Sequence, residues 1–289
     1  MLKRYFVKQR CMKFALLAGM TTLFLSGCDT GNSANTTATP TTAPVTAANA
    51  VIKHAPSGTV TATWDHTTHL LNVHAALTGL APSSSHPVAI LEGTCRKPGK
   101  TVYQLTTIKA QPIGFADAVT KIKDVADGIP ATGWSVTVFN GPDLSSATQS
   151  EPISCADLVN AKSDKSVNQA AQATLSDAFV PDQSVSGTVQ LNLNNKQLTV
   201  VLNVKGLAPN SKHMAHIHTG SCASQGAVVY PLKPLQANAA GEVNSTTVIS
   251  NVSEIPPSGW YVNIHRGDDN LSAQSDFDPI GCGDITPNR

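Results

Sequence analysis

Charge is scarce in this sequence: only 13% of its 289 residues are Asp, Glu, Lys or Arg, and only 5% are aromatic. The positive charge crowds at the front. Residues 1–28 hold Lys3, Arg4, Lys8, Arg10 and Lys13 and no acid, which leaves 15 cations against 19 acids in the rest. No run of Lys and Arg follows, so the chain lacks the basic face that a phosphate backbone requires, and nucleic acid is excluded as a partner. A Ser/His/Asp nucleophile frame, a Gly-rich phosphate loop and a CxxC redox pair are also missing, so hydrolase and nucleotide-binding readings have no support. Apolar residues make up 41%, enough for a packed core.

The cationic start leads into an apolar stretch at residues 14–25, too short for a comfortable transmembrane helix and shaped like a secretion signal. It ends in Leu25-Ser26-Gly27-Cys28, which resembles the lipobox of bacterial lipoproteins. That resemblance implies a signal peptide over residues 1–27, cleavage before Cys28, and acylation of Cys28 that holds an extracytoplasmic protein at a membrane. Residues 28–49 are mostly Thr, Ala, Asn, Ser and Pro and read as a flexible tether.

Beyond the tether the chain repeats itself. Ser57-Gly58-Thr59-Val60 recurs as Ser186-Gly187-Thr188-Val189, and Gly79-Leu80-Ala81-Pro82 as Gly206-Leu207-Ala208-Pro209. Gly133-Trp134 matches Gly259-Trp260, and Ile153-Ser154-Cys155 matches Ile280-Gly281-Cys282. Two homologous domains are expected, over 50–158 and 177–289, with a polar, Ala-rich linker at 159–176 that has room for one short helix. Alternating stretches such as residues 198–204 read as strands between turn signals, so each repeat is expected to be an antiparallel β-sandwich or flattened barrel.

Each repeat holds two cysteines 60 residues apart, Cys95 with Cys155 and Cys222 with Cys282. Four cysteines allow three connectivities, and a repeat that carries its own pair favours bonding within the repeat; a thiolate metal site is the alternative.

The repeats differ in their histidines. The second contains His213, His216, His218 and His265; the first has His86 where His213 stands, but Ala89, Leu91 and Phe139 in place of the other three. On strands, residues two apart share a face, so His216 and His218 project together, and His265 shares its side with Tyr261 and Asn263, opposite the apolar series Trp260, Val262, Ile264. A repeat that folds without these histidines implies that they serve chemistry, and three neutral imidazoles on adjacent strands suit copper or zinc, with copper preferred. Met214 alternates onto the same face and reads as packing, while His66, His69 and His74 mix their faces on a hairpin and read as solvated. Asp268 and Asp269 follow His265 and are candidates either for orienting a ligand or for a turn.

The Gly206-Leu207 turn, His213, the His216/His218 pair, Cys222, the strand ending in His265 and the final Gly281-Cys282-Gly283 resemble, in order, the Cu/Zn superoxide dismutases and the related bacterial CHRD domains. This resemblance implies an all-β protein of two tandem Greek-key sandwiches, the first degenerate. It also implies one copper per chain on His216, His218 and His265, a structural role for His213, and superoxide as a small anionic substrate. Residues 223–251 lack the bridging and zinc-binding histidines of that family, so no zinc subsite is expected, and Pro279 stands where the family has its anion-guiding Arg. Arg266 offers a positive charge, although its alternation points it away from His265. Superoxide dismutation, copper binding without turnover, and a metal-free surface module all remain open on these residues.

Overall fold

The structure, a computed structural model, describes residues 44–176, 184–268 and 271–288. The signal segment and Cys28 lie outside the described residues. The chain enters through β1 (Ala47–His54). The first repeat follows with β2 (Ser57–Asp65), β3 (Leu70–Thr78), β4 (Ser85–His86), β5 (Val88–Thr94), β6 (Lys97–Gln104), β7 (Ile108–Lys109), β8 (Ala116–Ile122), β9 (Trp134–Phe139) and β10 (Pro152–Leu158). After β11 (Gln169–Leu175), the second repeat runs through β12 (Ser186–Asn194), β13 (Gln197–Lys205), β14 (Lys212–His213), β15 (Ala215–Ser221), β16 (Ser224–Pro231), β17 (Leu235–Gln236), β18 (Val243–Ser250) and β19 (Trp260–His265). A one-turn helix α1 (Gln274–Phe277) precedes β20 (Pro279–Asp284) and β21 (Thr286–Pro287). The fold is all-β, as the alternation predicts.

Local sequence explains the strands. In β13, Leu198, Val200, Leu202 and Val204 are buried while their neighbours face outward, the period-two pattern of a half-buried strand. Asn195 and Lys196, both at positive φ, make the two-residue turn joining β12 to β13, the twist-matched hairpin that tolerates Asn well. The repeated Ser-Gly-Thr-Val glycines are required by close approach: a Cβ on Gly58 would lie 2.0 Å from the Ala76 carbonyl oxygen, and one on Gly187 would lie 2.2 Å from that of Asn203.

The first sandwich stacks the sheet β11-β2-β3-β8 on the sheet β10-β9-β5-β6. In the second, the corresponding strands join into one bent sheet, β16-β15-β19-β20-β1-β12-β13-β18, with β21 beside β1. Each encloses its own apolar core, Trp64, Leu71, Ile90 and Val136 among the first set and Val189, Leu202, Ile217 and Ile264 among the second.

The domain boundaries differ from those expected. β1, directly before the first repeat, pairs with β12 of the second, with Ala50 opposite Val189. β11, directly before the second repeat, pairs with β2 of the first, with Ala173 opposite Val60. The two repeats have exchanged their leading strands. Residues 47–49 are therefore strand rather than tether, 50–54 belong to the second sandwich, and the expected linker 159–176 carries a strand of the first sandwich and no helix. The signal was present but faint: Ala47-Ala48-Asn49-Ala50 matches Ala170-Ala171-Gln172-Ala173, and alanines bury well in a sheet without standing out as an apolar run.

Cys95–Cys155 and Cys222–Cys282 form two disulfides, one per repeat, as the repeat spacing favours. They fit an extracytoplasmic location. No helix among the described residues is long and apolar enough to cross a membrane.

Candidate metal centre

β15 and β19 are hydrogen-bonded neighbours in which His216 lies opposite Asn263 and His218 opposite Tyr261. Ala215, Ile217, Val262 and Ile264 fill the core, so the alternate residues project from the other face of the sheet. That face is not open to solvent. His216, His218 and His265 are all buried, His265 at 1% exposure. The three rings converge, with centroids 5.1 Å apart for His216 and His265, 5.6 Å for His216 and His218, and 6.0 Å for His218 and His265.

One nitrogen from each ring lies within 4.8 Å of the others. Nε2 of His218, Nε2 of His265 and Nδ1 of His216 are buried with no hydrogen-bond partner. The opposite nitrogens explain their state. His218 Nδ1 lies 3.0 Å from the Gly226 carbonyl oxygen and His265 Nδ1 lies 2.7 Å from that of Phe277. A carbonyl only accepts, so each Nδ1 carries the proton and each Nε2 presents a lone pair toward the cluster. Burial pushes all three imidazoles toward their neutral form, His265 down to about 4, and the neighbouring rings lower His216 and His265 further. Metal–nitrogen bonds of about 2.0–2.1 Å would set the donors roughly 3.3–3.6 Å apart, so a small inward shift of the rings suffices. The donor set fits an imidazole-liganded ion such as copper or zinc.

Around the triad, Tyr261 stacks on His218 with centroids 5.1 Å apart and planes 26° off parallel, and Phe277 packs on His265. Burial raises the Tyr261 phenol above its ordinary range and keeps it neutral. Asn263, 1% exposed, has neither amide atom paired and adds a polar lining beside His216. Sequence reasoning put Tyr261 and Asn263 on the ligand side of their strand without giving them a part. It could not find the Gly226 and Phe277 carbonyls, because every residue has one.

Asp268 lines a groove with Lys212, Pro234, Leu235 and Gln236, and Asp269 lies outside the described residues. The acceptors that orient His218 and His265 are backbone carbonyls. Met214 is half-buried, and His66 and His74 are exposed on the first sandwich, bonded to Asn168 and Asp117 respectively.

His213 Nδ1 lies 3.1 Å from the His265 carbonyl oxygen and 2.9 Å from that of Arg266, and its Nε2 lies 2.7 Å from Ser211 Oγ. His86 repeats this in the first sandwich, with Nδ1 2.9 Å from the Phe139 carbonyl oxygen and Nε2 2.7 Å from Ser84 Oγ. Both histidines clamp the end of the strand that carries His265 or its counterpart Phe139. Arg266 points away from the triad, its Nη1 3.1 Å from Glu151 Oε2 of the first sandwich.

No curated protein matches the chain. A family model does match part of it, from β11 through the loop after β19, and that span holds all three converging histidines. The matching model is that of the CHRD domain, over residues 171–270.

Proposed function

We propose that this protein binds one copper ion per chain through His216, His218 and His265, outside the cytoplasm, at a membrane to which lipidated Cys28 tethers it. The observation that carries the reading is the convergence of three buried, unpartnered imidazole nitrogens, two of them held as acceptors by Nδ1–H donation to fixed carbonyls. Three neutral nitrogen donors suit a borderline metal. When bound there, copper supplies one-electron chemistry between Cu(II) and Cu(I). The chain's part is to hold the rings neutral, orient them and exclude water from the side of the sheet that carries them.

A second reading is dismutation of superoxide at that copper. The neutral donor set favours it by tolerating both oxidation states. The engagement of Arg266 with Glu151 weighs toward binding without turnover, because it removes a cation that would draw an anion in.

The test is copper stoichiometry and EPR on residues Ala43–Arg289, which retain all of β1, beside a variant with His216, His218 and His265 changed to Ala. One Cu(II) per chain with a nitrogen-rich spectrum, lost in the variant, supports the reading and makes a superoxide assay the next step. Equal or no copper in both proteins sinks it and leaves the metal-free module.

A further inference from the structure

The first sandwich contributes no ligand to the triad, yet it grips the two segments that orient it. Gly226, whose carbonyl accepts from His218, follows Gln225. The backbone N–H of Gln225 donates to the Ile113 carbonyl at 3.0 Å, and its side-chain Nε2 donates to the Leu80 carbonyl at 2.8 Å, both acceptors being in the first sandwich. Phe277, whose carbonyl accepts from His265, ends α1, which begins at Gln274. The Gln274 amide donates to the carbonyls of Ser85 at 2.8 Å and Asn140 at 3.1 Å and accepts from the Ser85 N–H at 3.0 Å. Asn140 Nδ2 returns a bond to the Ser275 carbonyl at 3.4 Å.

We infer that the degenerate first sandwich is a positioning partner for the metal centre, acting through Gln225 and Gln274 to fix the carbonyls that orient His218 and His265. The inference rests on the metal reading above. An imidazole that donates from Nδ1 has its ring plane and tautomer set by the acceptor, so an acceptor on an untethered loop would leave the Nε2 lone pair free to swing. Both acceptors here sit within three residues of a glutamine whose amide is spent on the other sandwich. The arrangement is not a by-product of duplication. In the first repeat Pro98 occupies the register place of Gln225, pairing with Gly93 as Gln225 pairs with Gly220, and proline has neither the N–H nor the amide. The Gln225 contact is therefore made by the ligand-bearing repeat alone, with no counterpart at Pro98.

The experiment uses the full chain in detergent, with Gln225→Ala, Gln274→Ala and the double variant. Gln104→Ala serves as the control, because it removes a comparable bond, to the Val88 carbonyl, inside the first sandwich. Two readouts are taken: nitrogen-15 signals of the histidine rings in metal-free protein, which report tautomer and ring order, and Cu(II) affinity by chelator competition. The double variant is expected to mix the tautomers of His218 and His265 and to weaken copper binding about 10–100-fold, the range for losing outer-sphere support. Gln104→Ala changes neither readout. Should the alanine variants unfold, Gln225→Glu and Gln274→Glu keep the side-chain length while losing the amide donor, and they are read in the same way. A folded double variant with wild-type ring signals and affinity overturns the inference. Wild-type protein that binds no copper defeats the metal reading alone, and the ring signals still decide the positioning.

Discussion

Ala50 pairs with Val189, in the sandwich built by the other repeat rather than in the one that its own strand precedes. Through β1 the second sandwich closes its sheet, since β1 bonds β12 along one edge and β20 and β21 along the other. A chain beginning at Ser57 would leave both edges open, and unpaired edges recruit other strands. It is expected to lose the cooperative unfolding of the second sandwich and to associate, as seen by size-exclusion chromatography and circular dichroism. A peptide spanning Ala47–His54, added in trans, should reverse both effects. A monomer with wild-type melting would sink the exchanged-strand assignment.

The two disulfides close loops of equal length, 60 residues in each case, so the chain-entropy contribution of each is the same, about 4 kcal/mol. Their surroundings differ. Cys282 and Cys222 pack with Tyr261, which stacks on His218. Replacing Cys95 and Cys155 by Ser should lower stability and leave copper affinity alone, whereas replacing Cys222 and Cys282 should lower both. Melting curves and chelator competition on the two double variants check this, and equal affinities would refute it.

The first repeat supplies a metal-free version of the site in Ala89, Leu91 and Phe139, all buried or half-buried. Changing His216→Ala, His218→Leu and His265→Phe should abolish copper binding while leaving the metal-free protein folded, because the gain from removing unpartnered nitrogens offsets the loss of the Nδ1–H bonds to the Gly226 and Phe277 carbonyls. It removes three buried nitrogens without partners, each of which costs about 1–3 kcal/mol. Acid should separate the variant from the wild type. His265 titrates at about 4 in the fold against 6.5 unfolded, so between those values the unfolded chain binds more protons. The stability it contributes is complete above about 6.5 and is lost as pH falls toward 4. His86, also at about 4, behaves alike and remains in the variant. The variant should therefore lose less stability than the wild type from pH 7 to pH 4, but still some. Identical losses in urea titrations at the two pH values would contradict this.

Asp278 is 1% exposed, the Ala81 backbone N–H favours its carboxylate, and His86 Nε2 lies 3.7 Å from Oδ1. Burial raises its pKa well above the ordinary carboxylate value, against the opposing pull of Arg266. A raised carboxyl pKa favours the fold below the unfolded value of 3.8, and that advantage is lost as pH rises. Asp278→Asn stays neutral, so it should melt a few degrees higher than the wild type at pH 7, with the gap closing below pH 4. A lower melting temperature at pH 7 would show that the charge is compensated.

Local chemistry and repetition are legible without any knowledge of the fold. Period-two alternation in residues 198–204 needs no partner to read as a strand, and cysteines at equal spacing in two copies point to their own pairings. A His-x-His on one strand places both rings on one side wherever that strand goes, and the loss of these rings from the first repeat marks them as dispensable to folding. Choices between partners of nearly equal local merit are made in three dimensions. Ala47-Ala48-Asn49-Ala50 and Ala170-Ala171-Gln172-Ala173 offer the same small apolar faces and the same backbone hydrogen bonds, so no residue in either stretch says which sandwich it will complete. The burial of the face bearing His265, the carbonyls of Gly226 and Phe277, and the capture of Arg266 by Glu151 all come from segments brought together by the fold. A carbonyl has no signature in a sequence because every residue carries one; only its position in space makes it the group that aims a histidine.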